Sequence, residues 1–276
     1  VGSFDSSGAF HYQRLENLIE QAKAFSPEII IYPFTLAGST LRASSTPVLH
    51  YVESAPLKNL SRWVTAIMPD TTLITWGNTA YDGAVHDDMQ VWKQGRLYTS
   101  YTKRIMFPFL DYTPSWVQAI GLYTTSFDLT PATHPQFPIA LGDVYVGSAI
   151  CSELNERDIV RENVHGANIL LSIGYNARFP NGMTDRSVLI NAQFRAAENN
   201  VPVIRADRFG PSAFINQHGT IMSQMYTNQD GILTHDIEFE KYPRATFYQV
   251  AGDWLLIGMC AALLLFLVYR KRNRFN

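Results

Sequence analysis

The sequence predicts an α/β layered sandwich followed by one C-terminal apolar helix. Three observations support this prediction. Strand-like and helical segments alternate along the chain, the segments near residue 220 read as hairpins, and residues 254–269 contain no charged side chain. Alternating strands and helices that finish with hairpins suit a layered α/β domain. Residues 1–249 are numerous enough to form one such domain with a sizeable core.

The first half of the domain is predicted as one helix, two strands and a hairpin. Residues 10–25 place five apolar side chains on one helical face: Leu15, Leu18, Ile19, Ala22 and Phe25. Residues 28–32 are nearly all apolar, which is typical of a strand buried on both faces. Residues 71–79 form the second strand. Residues 89–93 and 97–101 flank a Gln-Gly-Arg turn and are predicted to form a hairpin.

The second half repeats the alternation of strand and helix. Residues 143–150 form a strand rich in valine and isoleucine, and residues 153–165 form the helix that follows. Residues 167–173 and 201–206 are predicted as further buried strands, separated by a helix over 184–199. Residues 213–216 and 220–225 close the domain as a hairpin around Gln-His-Gly.

Cys151 stands between the strand at 143–150 and the helical segment after it. It is one of only two cysteines, and the other, Cys260, lies in the apolar tail. The N–H groups at a helix start favour a thiolate and can hold an oxyanion, so this position suits a nucleophile. A buried, unreactive cysteine is the alternative on position alone.

Four segments carry a resemblance to a known family. Residues 28–38 read EIIIYPFTLAG, residues 101–114 read YTKRIMFPFLDYTP, residues 150–153 read ICSE and residues 195–205 read RAAENNVPVIR. In this order and spacing they resemble the nitrilase (carbon-nitrogen hydrolase) superfamily. They are most similar to the branch of the apolipoprotein N-acyltransferases, membrane enzymes that acylate bacterial lipoproteins. The resemblance covers nearly the whole chain and implies the α-β-β-α sandwich of the nitrilase fold.

The resemblance assigns roles to several side chains. It implies that Cys151 is the nucleophile and that Lys103 lowers the thiol pKa and stabilises an oxyanion. Asp111 matches a position that is usually Glu, and Glu153 either orients Lys103 or accepts a proton. Both carboxylates have an alternative role as structural partners of loop N–H groups. Arg195, Glu198 and Arg205 are interpreted as a buried ion-pair network rather than as chemical groups.

One position departs from the family pattern. The catalytic Glu of the family follows a proline at the end of the first long strand, and Phe34 occupies that position here. An apolar ring cannot act as a general base. Three alternatives remain open: an active enzyme that uses another carboxylate or has specialised, for example in conjugation systems; an inactive lipid- or partner-binding module; and an inactivated variant.

The activity that the resemblance implies is acyl transfer from a phospholipid to the N-terminus of a lipoprotein, through a thioester on Cys151. The phospholipid, the lipoprotein and the membrane are therefore the expected partners. Without the four basic residues after Tyr269, the domain has 18 basic and 24 acidic residues, which argues against nucleic acid. No cofactor is expected, and the dispersed histidines predict no metal site.

The apolar tail is predicted to cross a membrane. Residues 250–269 form the expected transmembrane helix, and residues 270–276 form a basic tail that the positive-inside rule places in the cytoplasm. The domain would then lie on the extracytoplasmic side of the bacterial inner membrane. Because the family carries further membrane helices upstream, this chain is expected to be the C-terminal part of a longer protein.

Overall fold

Two β-sheets pack face to face, and helices cover the outer side of each. The structure is a computed structural model that describes residues 12–33, 55–81, 83–122, 128–175, 183–227, 229 and 231–272.

The first sheet is built from the N-terminal part of the chain. Its four strands lie in the order β1-β2-β3-β4, and only the β1–β2 pair is parallel. Gln94 and Gly95 both have positive φ, so a two-residue turn matching the strand twist joins β3 to β4. The elements of this part are α1 (Tyr12–Lys23), β1 (Ile29–Tyr32), α2 (Ala55–Ile67), β2 (Thr72–Tyr81), β3 (Ala84–Lys93), β4 (Arg96–Thr102) and α3 (Ser115–Ala119).

The second sheet has six strands in the order β10-β9-β8-β7-β6-β5. Its centre, β6-β7-β8, is parallel, and antiparallel strands flank it on both sides. The elements are β5 (Ile139–Leu141), β6 (Val144–Ile150), a 3₁₀ turn (Cys151–Asn155), α4 (Arg157–Asn163), β7 (Ile169–Tyr175), α5 (Met183–Asn199), β8 (Val203–Arg208), β9 (Ser212–Ile215) and β10 (Ile221–Met225).

Three apolar clusters hold these layers together. The central cluster joins Met89 and Tyr101 of the first sheet to Ile150 and Ile173 of the second sheet. A second cluster packs α1 and α2 against the outer face of the first sheet, and a third packs α4 and α5 against the outer face of the second. Burial of these apolar faces is the main force holding the layers together. The predicted α-β-β-α sandwich is confirmed.

Several local predictions differ from the structure. Helix α1 ends at Lys23, so Phe25 lies beyond it and is 59% exposed instead of packing with Leu15 and Ile19. Helix α2 was not predicted, although Leu60 and Val64 form a buried face at helical spacing. The helix predicted over 153–165 is a 3₁₀ turn followed by the short α4, because the backbone extends at Glu156.

The C-terminal segment is also divided. Helix α6 (Phe247–Ala251) ends at Gly252, whose φ is +56° and ψ is −143°, and α7 (Trp254–Arg272) begins after it. The predicted domain boundary at 249 therefore falls inside α6. In the described part of the chain, none of the helices combines the length and apolarity needed to cross a bilayer. The prediction of a transmembrane helix over 250–269 is not supported, since the break at Gly252 leaves 16 uncharged helical residues, about 24 Å, against a ~30 Å core.

Candidate active site

Cys151 occupies a sharp corner where β6 meets the 3₁₀ turn. Its φ is +53°, which is rare for a residue with a side chain, and the residue is half-buried. Strained backbone of this kind costs about 1–3 kcal/mol and clusters at functional sites. The thiol therefore sits at the end of a central parallel strand, at a position that the surrounding fold must stabilise.

Lys103 follows β4 directly and is 1% exposed. Its main-chain N–H donates to the carbonyl oxygen of Asp87 at 2.8 Å, which attaches the lysine to strand β3. Its ammonium donates to Asp111 Oδ2 at 2.7 Å. A buried lysine is rare unless it is paired, so this side chain is held in a charged cluster and is not a solvated surface group.

Asp87 is a second carboxylate beside this lysine. It lies in the middle of β3, is 3% exposed, and has Oδ2 at 3.8 Å from Lys103 Nζ. Its Oδ1 accepts a hydrogen bond from Trp76 Nε1 at 2.5 Å. Asp111, by contrast, accepts from both Lys103 and the Phe107 N–H, the latter at 2.6 Å. One ammonium thus stands between two carboxylates, and Asp111 makes the closer contact.

The electrostatics of the cluster link Cys151 to these groups. Burial raises the pKa of the Cys151 thiol, and the positive charge of Lys103 opposes that rise without cancelling it. Asp87 and Asp111 raise the same pKa further, while Arg205 lowers it. For Lys103, burial alone would lower the pKa, but the negative charges of the thiolate and the two aspartates outweigh it and raise the pKa. Lys103 thus acts on the thiol in the predicted direction, although the thiol pKa remains above its ordinary value.

Glu153, within the 3₁₀ turn that begins at Cys151, is completely buried. One oxygen accepts hydrogen bonds from the main-chain N–H groups of Arg104 at 2.6 Å and Ile105 at 3.2 Å, and the other accepts from Ile150 at 2.8 Å. The hydroxyl of Tyr101 donates to both oxygens, at 3.2 and 3.1 Å. Glu153 therefore connects the Lys103 segment of the first sheet to the Cys151 turn of the second.

Gly147 lets helix α4 come close enough to β6 to hold Tyr101, the hydroxyl donor of Glu153. A side chain at Gly147 would place its Cβ 2.6 Å from the main-chain oxygen of Asn163, so only glycine lets the end of α4 lie this close to β6. At that position the Asn163 amide donates to the Ser148 carbonyl and to the Tyr101 hydroxyl, each at 2.8 Å. The hydroxyl group that contacts Glu153 is thereby held in place.

The predicted ion-pair network is divided between two places. Arg195 pairs with Glu198 along α5 at 3.1 Å. Arg205 instead pairs with Asp207 and donates to Ser172 Oγ at 3.0 Å, and its charge acts on Cys151. The prediction that all three form one network is therefore wrong, because the partners of Arg205 lie on strands β7 and β8 and not on α5.

The structure brings four of the five predicted site residues together: Cys151, Lys103, Asp111 and Glu153. Phe34, the fifth, lies outside the described residues. Sequence reasoning missed Asp87. The available signal was the pair Asp87-Asp88 inside a strand that is otherwise rich in buried residues, since adjacent acids are unusual there.

The segment that follows Lys103 exposes large apolar side chains beside the site. Phe107 is 42% exposed, Phe109 44% and Trp116 63%, and Phe109 and Trp116 meet edge to face with their ring centres 6.4 Å apart. Exposed apolar groups concentrated in one segment are typical of surfaces that bind apolar ligands or partners.

A family model and related proteins of known name indicate the same family for this chain. The family described as carbon-nitrogen hydrolase matches residues 12–245. The chain is 27% identical over 202 residues to an apolipoprotein N-acyltransferase of Pasteurella multocida, covering 70% of this chain and 36% of that protein. It is 24% identical over 266 residues to the apolipoprotein N-acyltransferase of Photobacterium profundum, covering 90% and 49%. The chain thus spans about a third to a half of these relatives.

Solved structures support the same fold. An amidase from Nesterenkonia sp. superposes with a TM-score of 0.55 at 14% identity, covering 83% of each chain. A CN-hydrolase superfamily protein from Xanthomonas campestris, solved with an arsenic adduct in its active site, gives a TM-score of 0.55 at 14% identity, covering 78% of this chain and 82% of that one.

Proposed function

Because the chain belongs to the carbon-nitrogen hydrolase family, with the apolipoprotein N-acyltransferases among its relatives, we propose that it is an acyltransferase working through a thioester on Cys151. The acyl donor is a phospholipid, and the acceptor is the amino terminus of a lipoprotein. The observation that carries the proposal is the buried cluster in which the ammonium of Lys103 acts on the Cys151 thiol.

In this reaction the sulfur of Cys151 attacks the carbonyl carbon of the acyl ester. Negative charge then develops on the carbonyl oxygen, and the ammonium of Lys103 stabilises it. Asp111 holds that ammonium at 2.7 Å. A preorganised donor of this kind typically contributes about 10²–10³-fold to the rate. The amine of the lipoprotein then attacks the thioester and collects the acyl group.

The lipid donor is supported by the exposed apolar segment after Lys103, where Phe107, Phe109 and Trp116 could contact an acyl chain. A soluble amide substrate would gain less from such a surface. The reaction would then take place at a phospholipid surface. The location on the extracytoplasmic side of the bacterial inner membrane stays a prediction.

The alternative of an inactive binding module is favoured by Phe34, which takes the place of the family's base. Against it stands the charged cluster. Burying Lys103 and Asp87 beside the partly buried Asp111 costs desolvation free energy that a binding module has no reason to retain. We therefore favour the enzyme.

The deciding experiment is intact-mass measurement after incubation with phospholipid vesicles. We expect the full chain to gain the mass of one acyl group, which hydroxylamine removes as expected for a thioester. The matched control is Cys151→Ala, which keeps Cys260 and should gain nothing. An unchanged mass in the parent chain, or an equal gain in Cys151→Ala, would contradict the proposal.

A further inference from the structure

Asp87 is a buried acid whose position the acyl-transfer mechanism above does not explain. It is 3% exposed, and its Oδ2 lies 3.8 Å from Lys103 Nζ, beyond hydrogen-bond distance. Lys103 instead donates to Asp111 at 2.7 Å. Asp87 thus shares one ammonium with Asp111, which lies closer to it, and a buried carboxylate that is only weakly paired is costly and typical of functional sites.

Strand pairing and hydrogen bonds hold Asp87 in its position. It lies in the middle of β3, paired with Asn78 of β2, and its carbonyl oxygen accepts from the Lys103 N–H at 2.8 Å. Trp76 fixes its Oδ1. Its charge acts on the thiol of Cys151, which approaches from the second sheet.

The other two carboxylates are already engaged as positioning groups. Glu153 accepts from three main-chain N–H groups and from Tyr101. Asp111 accepts from Lys103 and from the Phe107 N–H. These hydrogen bonds already give Glu153 and Asp111 a structural task, whereas the cation beside Asp87 Oδ2 is the Lys103 ammonium at 3.8 Å.

We propose that Asp87 is the proton acceptor of this site and supplies the carboxylate function that Phe34 cannot. This inference rests on the proposed thioester chemistry and adds a residue to it. Asp87 reaches the site from the middle of β3, whereas Phe34 follows the end of β1. The sequence has therefore lost an acid at one strand and has one available at another.

Asp87 takes up and returns one proton in each half of the reaction, so no other proton acceptor is needed. In the first half, the S–H bond of Cys151 breaks and an O–H bond forms on Asp87, while sulfur bonds to the acyl carbon. The ester C–O bond then breaks, and Asp87 returns the proton to the leaving alcohol. In the second half, Asp87 takes a proton from the attacking amine and gives it to the departing sulfur.

The pKa of Asp87 suits a proton acceptor. Burial raises its pKa to about 7, with the charge of Lys103 opposing and that of Asp111 assisting the rise. A proton acceptor is most effective when its pKa lies near the working pH. The groups that act on it are Lys103, Asp111 and Trp76, together with Asp88 from the opposite face of β3, and its own charge acts on Cys151.

The test uses Asp87→Asn in a Cys260→Ser background, with two rates measured above neutral pH. The first is acylation of Cys151 by a soluble p-nitrophenyl acyl ester and by phospholipid vesicles. The second is alkylation of Cys151 by iodoacetamide. Asp87→Asn should slow acylation by about 10²-fold or more, because proton transfer is lost. It should speed alkylation, because the negative charge that raises the thiol pKa is gone.

The opposite signs separate this proposal from its rivals. A purely electrostatic role would increase both rates, and local misfolding would decrease both, so either pattern overturns the proposal. The control is Asp88→Asn, the neighbouring buried acid that bonds to Thr79, which should leave acylation close to that of the parent. The acylation rate of the parent should also rise with pH through about 7, and Asp87→Asn should lose that inflection.

Measuring both acyl donors separates the role of Asp87 from the proposal that the acyl donor is a phospholipid. If the soluble ester acylates Cys151 with the expected dependence on Asp87 and phospholipid does not, the donor is wrong and Asp87 stands. If neither donor acylates the parent chain, Asp87 has no reaction to serve and the inference fails.

Discussion

The turn at Cys151–Asn155 and the middle of strand β3 each bury a carboxylate, but in different surroundings. Glu153 in the turn receives three main-chain N–H donors and a tyrosine hydroxyl. Asp87 in β3 receives the Trp76 indole N–H and has the Lys103 ammonium at 3.8 Å. Burial raises the pKa of both acids, so burial alone does not distinguish them. The number of donors does, because a well-bonded carboxylate stabilises structure and a poorly bonded one is available for chemistry.

The largest effect is expected for Glu153→Ala. It leaves the N–H groups of Ile150, Arg104 and Ile105 buried without their acceptor. At about 1–3 kcal/mol for each unsatisfied group, the free energy of unfolding should fall by at least about 3 kcal/mol. Urea denaturation measures this.

The matched control for that loss is Glu162→Ala, a glutamate whose side chain is 48% exposed and pairs with Arg104 at 2.8 Å. Its loss should be no more than about 1 kcal/mol. Equal losses for the two glutamates would mean that Glu153 does not hold the two sheets together.

A second large effect is expected for Lys103→Met, and it concerns the rate. The variant keeps the length of the side chain and removes the ammonium that Asp111 holds. Acylation of Cys151 should slow by about 10²–10³-fold, because the developing oxyanion loses its donor. Stopped-flow release of p-nitrophenol measures the rate. Lys23→Met, at an exposed position of α1, should behave like the parent. A parent-like rate for Lys103→Met would remove the lysine from the mechanism.

The free energy of unfolding should also depend on pH, because the pKa of Asp87 differs between the folded and unfolded states. Its pKa is raised from 3.8 to about 7, so the folded state binds more protons than the unfolded state between these values. Stability contributed by this group is therefore lost as pH rises through that window. Asp87→Asn should be stabilised relative to the parent by roughly 2.5 kcal/mol more at pH 8 than at pH 5. Urea unfolding at both pH values checks it, with the substitution Glu16→Gln at an exposed position of α1 as the reference variant. A difference that does not change with pH would contradict the raised pKa.

The smallest effect is expected at the surface, where Arg157 pairs with Asp253 ahead of α7 at 2.9 Å. Both side chains are more than a third exposed, so water and salt screen the pair. A double-mutant cycle of Arg157→Ala and Asp253→Ala should give a coupling of no more than about 1 kcal/mol. If the coupling free energy of this exposed pair were as large as the stability lost in Glu153→Ala, burial would not explain why one carboxylate contributes more to stability than another.

The sequence by itself determined the features that depend on local order. Cys151 stands at the end of an apolar strand, Lys103 stands directly after another, and Gln94-Gly95 marks a tight hairpin. Strand alternation and turn chemistry are written in neighbouring residues, so they can be read without the fold. The same is true of the family, because its motifs are short and ordered along the chain.

Only the tertiary structure decided which acids share the site. Asp87 and Asp88 are adjacent in sequence, and alternation sends their side chains to opposite faces of β3 without saying which face meets Cys151. That choice is made by the register of β3 with β4 and by the packing of one sheet on the other. The sequence likewise left the role of Glu153 open between orienting Lys103, accepting a proton and binding loop N–H groups, because two of its main-chain donors come from a segment about fifty residues away. Contacts between distant segments depend on how whole sheets pack, and no local pattern encodes that.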